Sequence, residues 1–452
     1  MRKLLALLLC TCMAVTTLVG CGTSEEPKET TSQETPKQTT SQETTKQTTS
    51  QESPVEETSE KTDVLVWLFA ADNMQAYVDG GFTDRVNEAF PQYNVKVEVI
   101  AGTAADMETQ YNAAKMSGAV PDAMYVVLST FASFGTRGEW LNLDSYMSDW
   151  EGMEDVMEAS LNMGKLADGY AGVGMAPAPS VFVYRSDMFE AAGLDPDAPP
   201  TNWEELAEYA EKLTIKDDKG NIIQGGLDIP SIDTFLNVTA PFMRMNGAVV
   251  IDEVAQEPKL TDPKVIETLE YLYGLYSKGV SLPHDWQKAE TVPFLNGTSA
   301  MSFMNLDLYV KLLKDKPELQ GVARMASPIG NEAVTSFCGY RMMTIPAESK
   351  NPDAAWDVIE FIMSKEEMQI RVENHGVIPV RESLQPIYET LNPEIGTKVM
   401  ETVSVGKGAF IVPWVSTLYK YYGPAHEAIM QGVKTPAEAM EEAQEGILAE
   451  IG

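Results

Sequence analysis

Asp-Val-Leu-Val-Trp-Leu-Phe, at residues 63–69, is an apolar run behind a single aspartate, and it predicts a buried β-strand. Residues 74–90 then read as a helix, and residues 95–100 alternate apolar and polar side chains as a second strand. A helix at 107–116 and an apolar strand at 123–128 follow. This β-α-β-α-β order is typical of a parallel sheet covered by helices, so the sequence predicts the α/β fold class.

Helix-start signals continue downstream of these strands. Thr201 and Glu204 match a capping box, in which the threonine side chain accepts the glutamate amide and the glutamate reaches back. Further helices are predicted to start at Asp262-Pro263, Asn351-Pro352, Ser364 and Thr435. The chain after residue 62 therefore reads as α/β throughout.

The first twenty residues are typical of a secretion signal. Arg2 and Lys3 precede an apolar segment, which is short for a membrane span of about 20 residues. Leu18-Val19-Gly20-Cys21 resembles a bacterial lipobox, in which the cysteine is lipidated and becomes the new N-terminus. We therefore expect a signal peptide at 1–20 and a protein that is lipid-anchored, through Cys21, on the extracytoplasmic face of the bacterial cell membrane.

A polar segment separates this signal from the predicted fold. Residues 22–61 are almost free of apolar side chains, and the hexapeptide at Thr30–Thr35 recurs nine residues later at Thr39–Thr44. Such a composition cannot bury a core, so we predict that 21–61 is the lipid-anchored cysteine followed by a disordered tether. About 40 flexible residues give a reach on the order of 35 Å.

Composition excludes several classes of function. The formal net charge of −34 would repel nucleic-acid phosphates, so no nucleic-acid partner is expected. Cys338 is the one cysteine that is neither removed with the signal nor lipidated, which rules out an intrachain disulfide. The three histidines lack zinc-helix spacing, and no phosphate-binding glycine loop or nucleophile elbow occurs. We expect no metal, no cofactor and no catalytic site, although the many carboxylates leave a glycosidase pair open.

Six groups of short motifs occur in a fixed order along the chain. They lie at 63–69, 117–122, 140–144, 183–189 with 199–206, 294–301, and 349–356 with 376–381. Together they resemble the extracellular solute-binding proteins of ABC sugar importers, the family that includes maltose-binding protein. The resemblance covers residues 62–452.

The resemblance implies a two-lobed periplasmic-binding-protein-like fold of type II, with a ligand cleft between the lobes and hinge crossovers. The crossovers would lie near 173–177, 338–342 and 384–390. Lobe one would comprise 62–174 plus 341–385, and lobe two 177–337 plus 390–452. Gly172, Gly174 and Gly339 would suit a bend near two of the crossovers.

The function implied is capture of an extracellular sugar or oligosaccharide by hinge closure, followed by delivery to the permease subunits of an ABC transporter. The protein would be a monomer and not an enzyme. Two other functions stay open: a secreted lipoprotein enzyme that acts on glycans, and a surface adhesion or sensory protein that reuses the binding fold.

The resemblance also implies a set of ligand-binding residues, drawn from loops after strands, from the second lobe and from a late aromatic segment. The candidates are Phe69, Asp72, Asn73, Tyr125, Ser129, Asn237, Asn305, Asp307, Tyr340, Arg341, Trp414 and Tyr421. Asp307 stands where maltose-binding members have a stacking tryptophan, which argues against a maltodextrin ligand. Each aromatic candidate could equally be a core residue, and Trp67, Trp203 and Trp356 are predicted to be packing residues.

Overall fold

The computed structural model describes residues 61–452 except Thr234, Asn237 and Val254. The predicted signal peptide, the lipidation cysteine Cys21 and the tether up to residue 60 lie outside the described residues, as does the candidate Asn237. From residue 61 onward the chain belongs to one compact unit.

The described strands range from two-residue bridges to one strand of fourteen residues. In chain order they are β1 (Thr62–Phe69), β2 (Tyr93–Ile100), β3 (Ala123–Val127), β4 (Lys165–Leu166), β5 (Gly169–Tyr170), β6 (Gly172–Arg185), β7 (Ile215–Lys216), β8 (Ile222–Gln224), β9 (Ile251–Asp252), β10 (Glu257–Pro258), β11 (Met301–Asn305), β12 (Ala323–Met325), β13 (Ser336–Thr344) and β14 (Gly406–Lys407).

The described residues also form eighteen α-helices. They are α1 (Met74–Tyr77), α2 (Thr83–Ala89), α3 (Ala104–Ser117), α4 (Leu128–Gly135), α5 (Asp144–Asp149), α6 (Glu158–Met163), α7 (Ser186–Ala191), α8 (Trp203–Leu213), α9 (Thr239–Met245), α10 (Pro263–Ser277), α11 (Pro293–Asn296), α12 (Leu306–Asp315), α13 (Pro352–Ile362), α14 (Lys365–His375), α15 (Gln385–Leu391), α16 (Gly396–Ser404), α17 (Val415–Met430) and α18 (Pro436–Ile451).

One sheet runs through the whole described unit, in the order β11-β6-β13-β3-β1-β2. β1 is parallel to β2 and β3, whereas β13 is antiparallel to both β3 and β6. The long strand β6 pairs with β13 along its first half, and with β11 and β12 along its second half. β6 and β13 are therefore shared between the parallel strands at one end and β11, β12 and β14 at the other.

The predicted β-α-β-α-β order at residues 63–128 is confirmed, and its strands are parallel as expected. The helix predicted at 74–90 is interrupted. A wide turn at Val78–Phe82 contains Gly81, whose φ of 93° lies in the left-handed region, and it separates α1 from α2. A run of apolar periodicity does not reveal such a break, because the residues on either side still face the core.

The capping box predicted at Thr201 and Glu204 is wrong by one residue. Asn202 is the N-cap of α8, and its side chain accepts the backbone N–H of Glu205 at 3.0 Å. The Glu205 carboxylate reaches back to the backbone N–H and the hydroxyl of Thr201, each at 2.8 Å. Both Thr and Asn are good N-caps, so the sequence alone does not decide between adjacent candidates.

Gly172 and Gly174 lie inside β6, where close packing requires a residue without a side chain. A Cβ at Gly174 would come within 2.8 Å of the Tyr340 ring and 2.9 Å of the Ser160 carbonyl oxygen. A Cβ at Gly172 would come within 2.7 Å of the Met343 carbonyl oxygen. Steric need therefore explains these glycines, since neither has a positive φ.

The buried side chains form one large cluster and a smaller one, here called the C-terminal cluster, in which residues 235–269 and 410–447 take part. Trp67, Trp203 and Trp356 all lie in the large cluster, which confirms them as packing residues. Trp203, for example, stacks on Tyr271 with ring centroids 4.4 Å apart. In the part of the chain that the structure describes, no helix has the length and apolar character to cross a membrane.

Candidate functional site

A cleft opens where β1 and β3 end. Because the two strands are parallel, the loop after Phe69 and the start of α4 after Val127 meet at the same edge of the sheet. Ligands of open α/β sheets bind at this carboxyl edge. Here the cleft consists of two adjoining cavities, a main cavity of about 660 Å³ and a side cavity of about 590 Å³. Asp72 and Asp307 line both.

The main cavity takes its walls from both ends of the sheet. One wall carries Asp72 and Ser129, and the opposite wall carries Trp286, Asn305 and Asp307. The floor consists of the shared strands, with Pro177–Pro179 of β6 and Phe337–Arg341 of β13. A ligand in this space would contact residues that lie far apart in the sequence.

Asp72 is fixed in place by groups on two neighbouring strands. The Tyr125 hydroxyl of β3 donates to Asp72 Oδ2 at 2.5 Å, and Arg341 Nε of β13 lies 3.6 Å from the same oxygen. Tyr125 is fully buried, and this burial, together with the Asp72 charge, raises the pKa of its phenol well above the usual range. Tyr125 therefore acts as a permanent donor that orients Asp72.

The loop that presents Asp72 has an uncommon backbone. Asp72 and Asn73 have φ values of 52° and 56°, a left-handed conformation that aspartate and asparagine tolerate better than most residues. The Asn73 side-chain amide donates to the His375 carbonyl oxygen at 2.8 Å, which ties the loop to the end of α14. The residue types at 72 and 73 therefore suit the left-handed backbone that this loop requires.

Asp307 faces the cleft from the first turn of α12. Its carboxylate is exposed to the solvent of the cleft and has no hydrogen-bond or ion-pair partner among the described residues. The walls of the cleft remove part of the water around the Asp307 carboxylate and so raise its pKa, the nearby Asp72 charge adds to the rise, and Arg341 opposes it. Burial also raises the pKa of Tyr388 in the side cavity to about 12, with a contribution from Asp307.

The structure brings seven of the twelve candidate ligand residues to the cleft. They are Asp72, Asn73, Ser129, Asn305, Asp307, Tyr340 and Arg341. Tyr125 stands directly behind Asp72, and Phe69 packs against the large core cluster. Trp414 and Tyr421 are placed elsewhere: the Trp414 indole donates to the Gln256 carbonyl oxygen within the C-terminal cluster, and the Tyr421 hydroxyl donates to Glu450.

Sequence reasoning did not single out Trp286, Phe337 and Leu236, which also line the main cavity. Trp286 lies in the irregular segment between α10 and α11, where its backbone N–H donates to the Ile232 carbonyl oxygen at 3.1 Å. Trp286 is also part of the large core cluster, so no pattern in the sequence marks it as a residue that lines the cavity.

The described residues contain no group of three or more His, Cys, Asp or Glu side chains that could hold a metal ion. Cys338 is free and buried, and burial raises the pKa of its thiol to about 12. The side chains that line the main cavity offer a ligand hydrogen-bonding groups, charge and aromatic rings.

Comparison with known proteins gives a family match and several relatives. The sequence profile of the bacterial extracellular solute-binding proteins matches residues 82–395. A binding protein of Brucella abortus is 28% identical over 243 residues, which cover 53% of this chain and 57% of the relative. The sn-glycerol-3-phosphate-binding periplasmic protein UgpB of Salmonella paratyphi A is 24% identical over 291 residues, which cover 59% and 63%. The chain thus spans less than two thirds of the length of these relatives.

Solved structures share the fold over most of the described chain. The cyclic alpha-maltosyl-1,6-maltose binding protein of Arthrobacter globiformis has a TM-score of 0.74 at 18% identity, covering 86% of this chain and 99% of that one. A cyclo/maltodextrin-binding protein in complex with maltotetraose has a TM-score of 0.71 at 18% identity, covering 88% and 99%. At such identities the likeness establishes a shared fold, the two-lobed fold of periplasmic binding proteins.

Proposed function

The chain belongs to the bacterial extracellular solute-binding protein family, and from this we propose that it captures a sugar or oligosaccharide outside the cytoplasm and delivers it to an ABC transporter permease. The observation that carries the proposal is the main cavity, about 660 Å³ in volume and lined from both ends of the sheet. A cavity of this size at the carboxyl edge of an α/β sheet is typical of a small-molecule site.

The proposed mechanism is closure of two lobes, one of 62–174 plus 341–385 and the other of 177–337 plus 390–452. The pairing of β6 supports this division, because residues 172–179 pair with β13, whereas residues 180–185 pair with β11 and β12. A hinge in β6 and β13 would let the two ends of the sheet rotate about the cleft, as in other hinge-closing proteins. The third crossover remains a prediction.

The side chains of the cleft suit a polyhydroxylated ligand. Sugars present apolar C–H faces, which pack on aromatic rings, and hydroxyl rims, which need paired donors and acceptors. Trp286 and Phe337 supply rings, and Ser129, Asn305 and Arg341 supply polar groups. The structural neighbours are named for cyclic and linear maltose oligomers, and the Salmonella relative for a polyol phosphate, so polyhydroxylated solutes are common to all three.

A thermal-shift screen over mono- and oligosaccharides tests the proposal. A solute that binds only the folded state adds RT ln(1 + [L]/Kd), about 2.7 kcal/mol at a hundredfold excess over Kd, so a true ligand raises the melting temperature. Isothermal titration of each hit supplies Kd. A wide saccharide panel with no hit contradicts a carbohydrate ligand.

Two further measurements, product analysis and uptake in cells, separate the other two functions. Conversion of a bound glycan to shorter products during incubation would favour a secreted enzyme. Tight binding without any uptake defect in cells that lack the protein would favour an adhesion or sensory role. We expect the protein to bind a saccharide without altering it. We also expect cells that lack the protein to lose uptake of that saccharide.

The proposal includes a lipid anchor at Cys21 and a tether that leads to the folded unit. The lipobox-like Leu18–Cys21 and the polar repeats of residues 22–61 support it. Replacing Cys21 by serine should release the protein from the membrane fraction into the surrounding fluid, whereas an unchanged membrane fraction would contradict lipidation.

A further inference from the structure

The charges of the main cavity do not balance. Among the described residues that line it, Asp72, Asp307 and Arg341 carry charge, which leaves one negative charge in excess. Arg341 Nε lies 3.6 Å from Asp72, so the Arg341 charge is already directed at one of the two carboxylates. Asp307 is the carboxylate without a protein partner.

The positive side chains of the side cavity do not neutralise Asp307. Lys311 and Lys314 follow it on the same face of α12, about 6 and 10 Å farther along the helix axis. Lys311 is ion-paired with Asp315, the acidic residue at the far end of the helix. Neither lysine forms an ion pair with Asp307 within the described part of the chain.

The position of Asp307 makes its lone charge costly once a ligand is enclosed. It sits opposite Asp72, and both side chains line the junction of the two cavities. The raised pKa of Asp307 reflects this surrounding. When a bound solute replaces the water of the cleft, an unpaired carboxylate loses its hydration and needs a compensating charge.

We propose that the solute carries a protonated amine, as an amino sugar does, and that Asp307 binds this amine opposite Asp72. The inference rests on the proposed function, since it names the class of solute for the same cleft. An ammonium donates up to three hydrogen bonds, enough for both carboxylates, and such charge-assisted bonds are stronger than those of a hydroxyl. A second observation at the site agrees: the Asn305 side chain, which also lines the main cavity, has no hydrogen-bond partner among the described residues and is free to bind a polar ligand group.

Matched sugars test the proposal by isothermal titration of the full protein. Glucosamine, N-acetylglucosamine and glucose form one set, and the corresponding β-1,4-linked dimers form a second; the galacto and manno sets extend it. We expect the free amine of one set to bind at least tenfold more tightly than its acetylated and hydroxyl counterparts. sn-Glycerol 3-phosphate and glucuronate, which are anionic, should bind more weakly still.

Two variants decide whether Asp307 is responsible. Asp307→Asn keeps the shape of the side chain and should abolish the preference for the amine. Asp187→Asn, in the first turn of α7 and outside both cavities, is the control and should retain it. A melting temperature within a few degrees of that of the unchanged protein shows that each variant is folded.

The possible outcomes separate this inference from the proposed function. A neutral sugar that binds as tightly as its amine, tight binding of an anionic probe, or a preference that survives in Asp307→Asn would overturn the amine proposal. The transport-receptor proposal would survive each of these results. A panel in which no sugar binds would overturn both.

Discussion

Arg341 lines the main cavity and also lies beside Asp72, so its contribution to binding and its contribution to stability can be measured separately. Its Nε lies 3.6 Å from Asp72 Oδ2, and both side chains are about one-fifth exposed. Arg341→Ala should weaken ligand binding by roughly 10- to 100-fold, the loss expected for a charge-assisted hydrogen bond. Titration gives the loss of affinity and urea unfolding the loss of stability.

Arg324→Ala is the control for this variant, because Arg324 pairs with Asp197 on a surface outside the main cavity. It should leave affinity unchanged. If Arg341→Ala lost stability and affinity in equal measure, Arg341 would be a structural residue.

Trp286 and Trp414 are equally buried, each with 8% of its surface exposed, yet they occupy different sites. Trp286→Ala should weaken binding by at least tenfold, because the ring lines the main cavity. Trp414→Ala should destabilise the fold by about 3–5 kcal/mol through the cavity that it leaves in the C-terminal cluster, with little change in Kd for the folded protein. The reverse pattern would place the ligand near Trp414.

At the level of single residues, the sequence predicts which polar residues follow a strand, but it does not predict which aromatic residues line the cavity. Asp72 and Ser129 follow predicted strands, so the sequence predicts their position at the edge of the sheet. Trp286 lies between α10 and α11, where no periodic pattern indicates its direction. In the sequence, an aromatic residue of a core looks the same as one that lines a cleft. Only the tertiary contacts of Trp286 and Trp414 show which of the two lines the cavity.

The start of α8 provides a test at the level of one helix. Asn202→Ala removes the side-chain cap of Glu205 N–H and should lower the free energy of unfolding by about 1 kcal/mol. Glu204→Ala should change it by no more than about 0.5 kcal/mol, because Glu204 is exposed and does not complete the box. Urea denaturation of both variants measures the difference. A larger loss of unfolding free energy in Glu204→Ala would indicate that Thr201 is the N-cap.

The parallel strands β1, β2 and β3 could be predicted because their apolar runs are local and separated by capped helices. The interior position of β13 could not, since its partners β3 and β6 lie far away in the chain. Alternation shows that a segment is a strand, but strand order depends on long-range pairing that no local pattern contains. The break at Gly81 could not be predicted from the sequence either. The helices on both sides of it bury apolar residues, so the apolar pattern continues across the break.

For the whole molecule, closure should be visible in solution. Small-angle X-ray scattering of the protein with and without a saturating ligand should show a smaller radius of gyration in the bound state, because the two proposed lobes approach each other. The same protein with a saccharide that gives no thermal shift is the control. An identical scattering curve in both states would contradict a hinge.

The middle strand of the shared sheet is also the one that the ribosome makes late. β13 lies between β3 and β6, but it begins about 150 residues after β6 ends. Until it emerges, β3 and the first half of β6 each have an open edge, which is prone to pairing with other chains. The nascent polypeptide therefore cannot complete its fold one segment at a time, and fragments cut before residue 336 should aggregate.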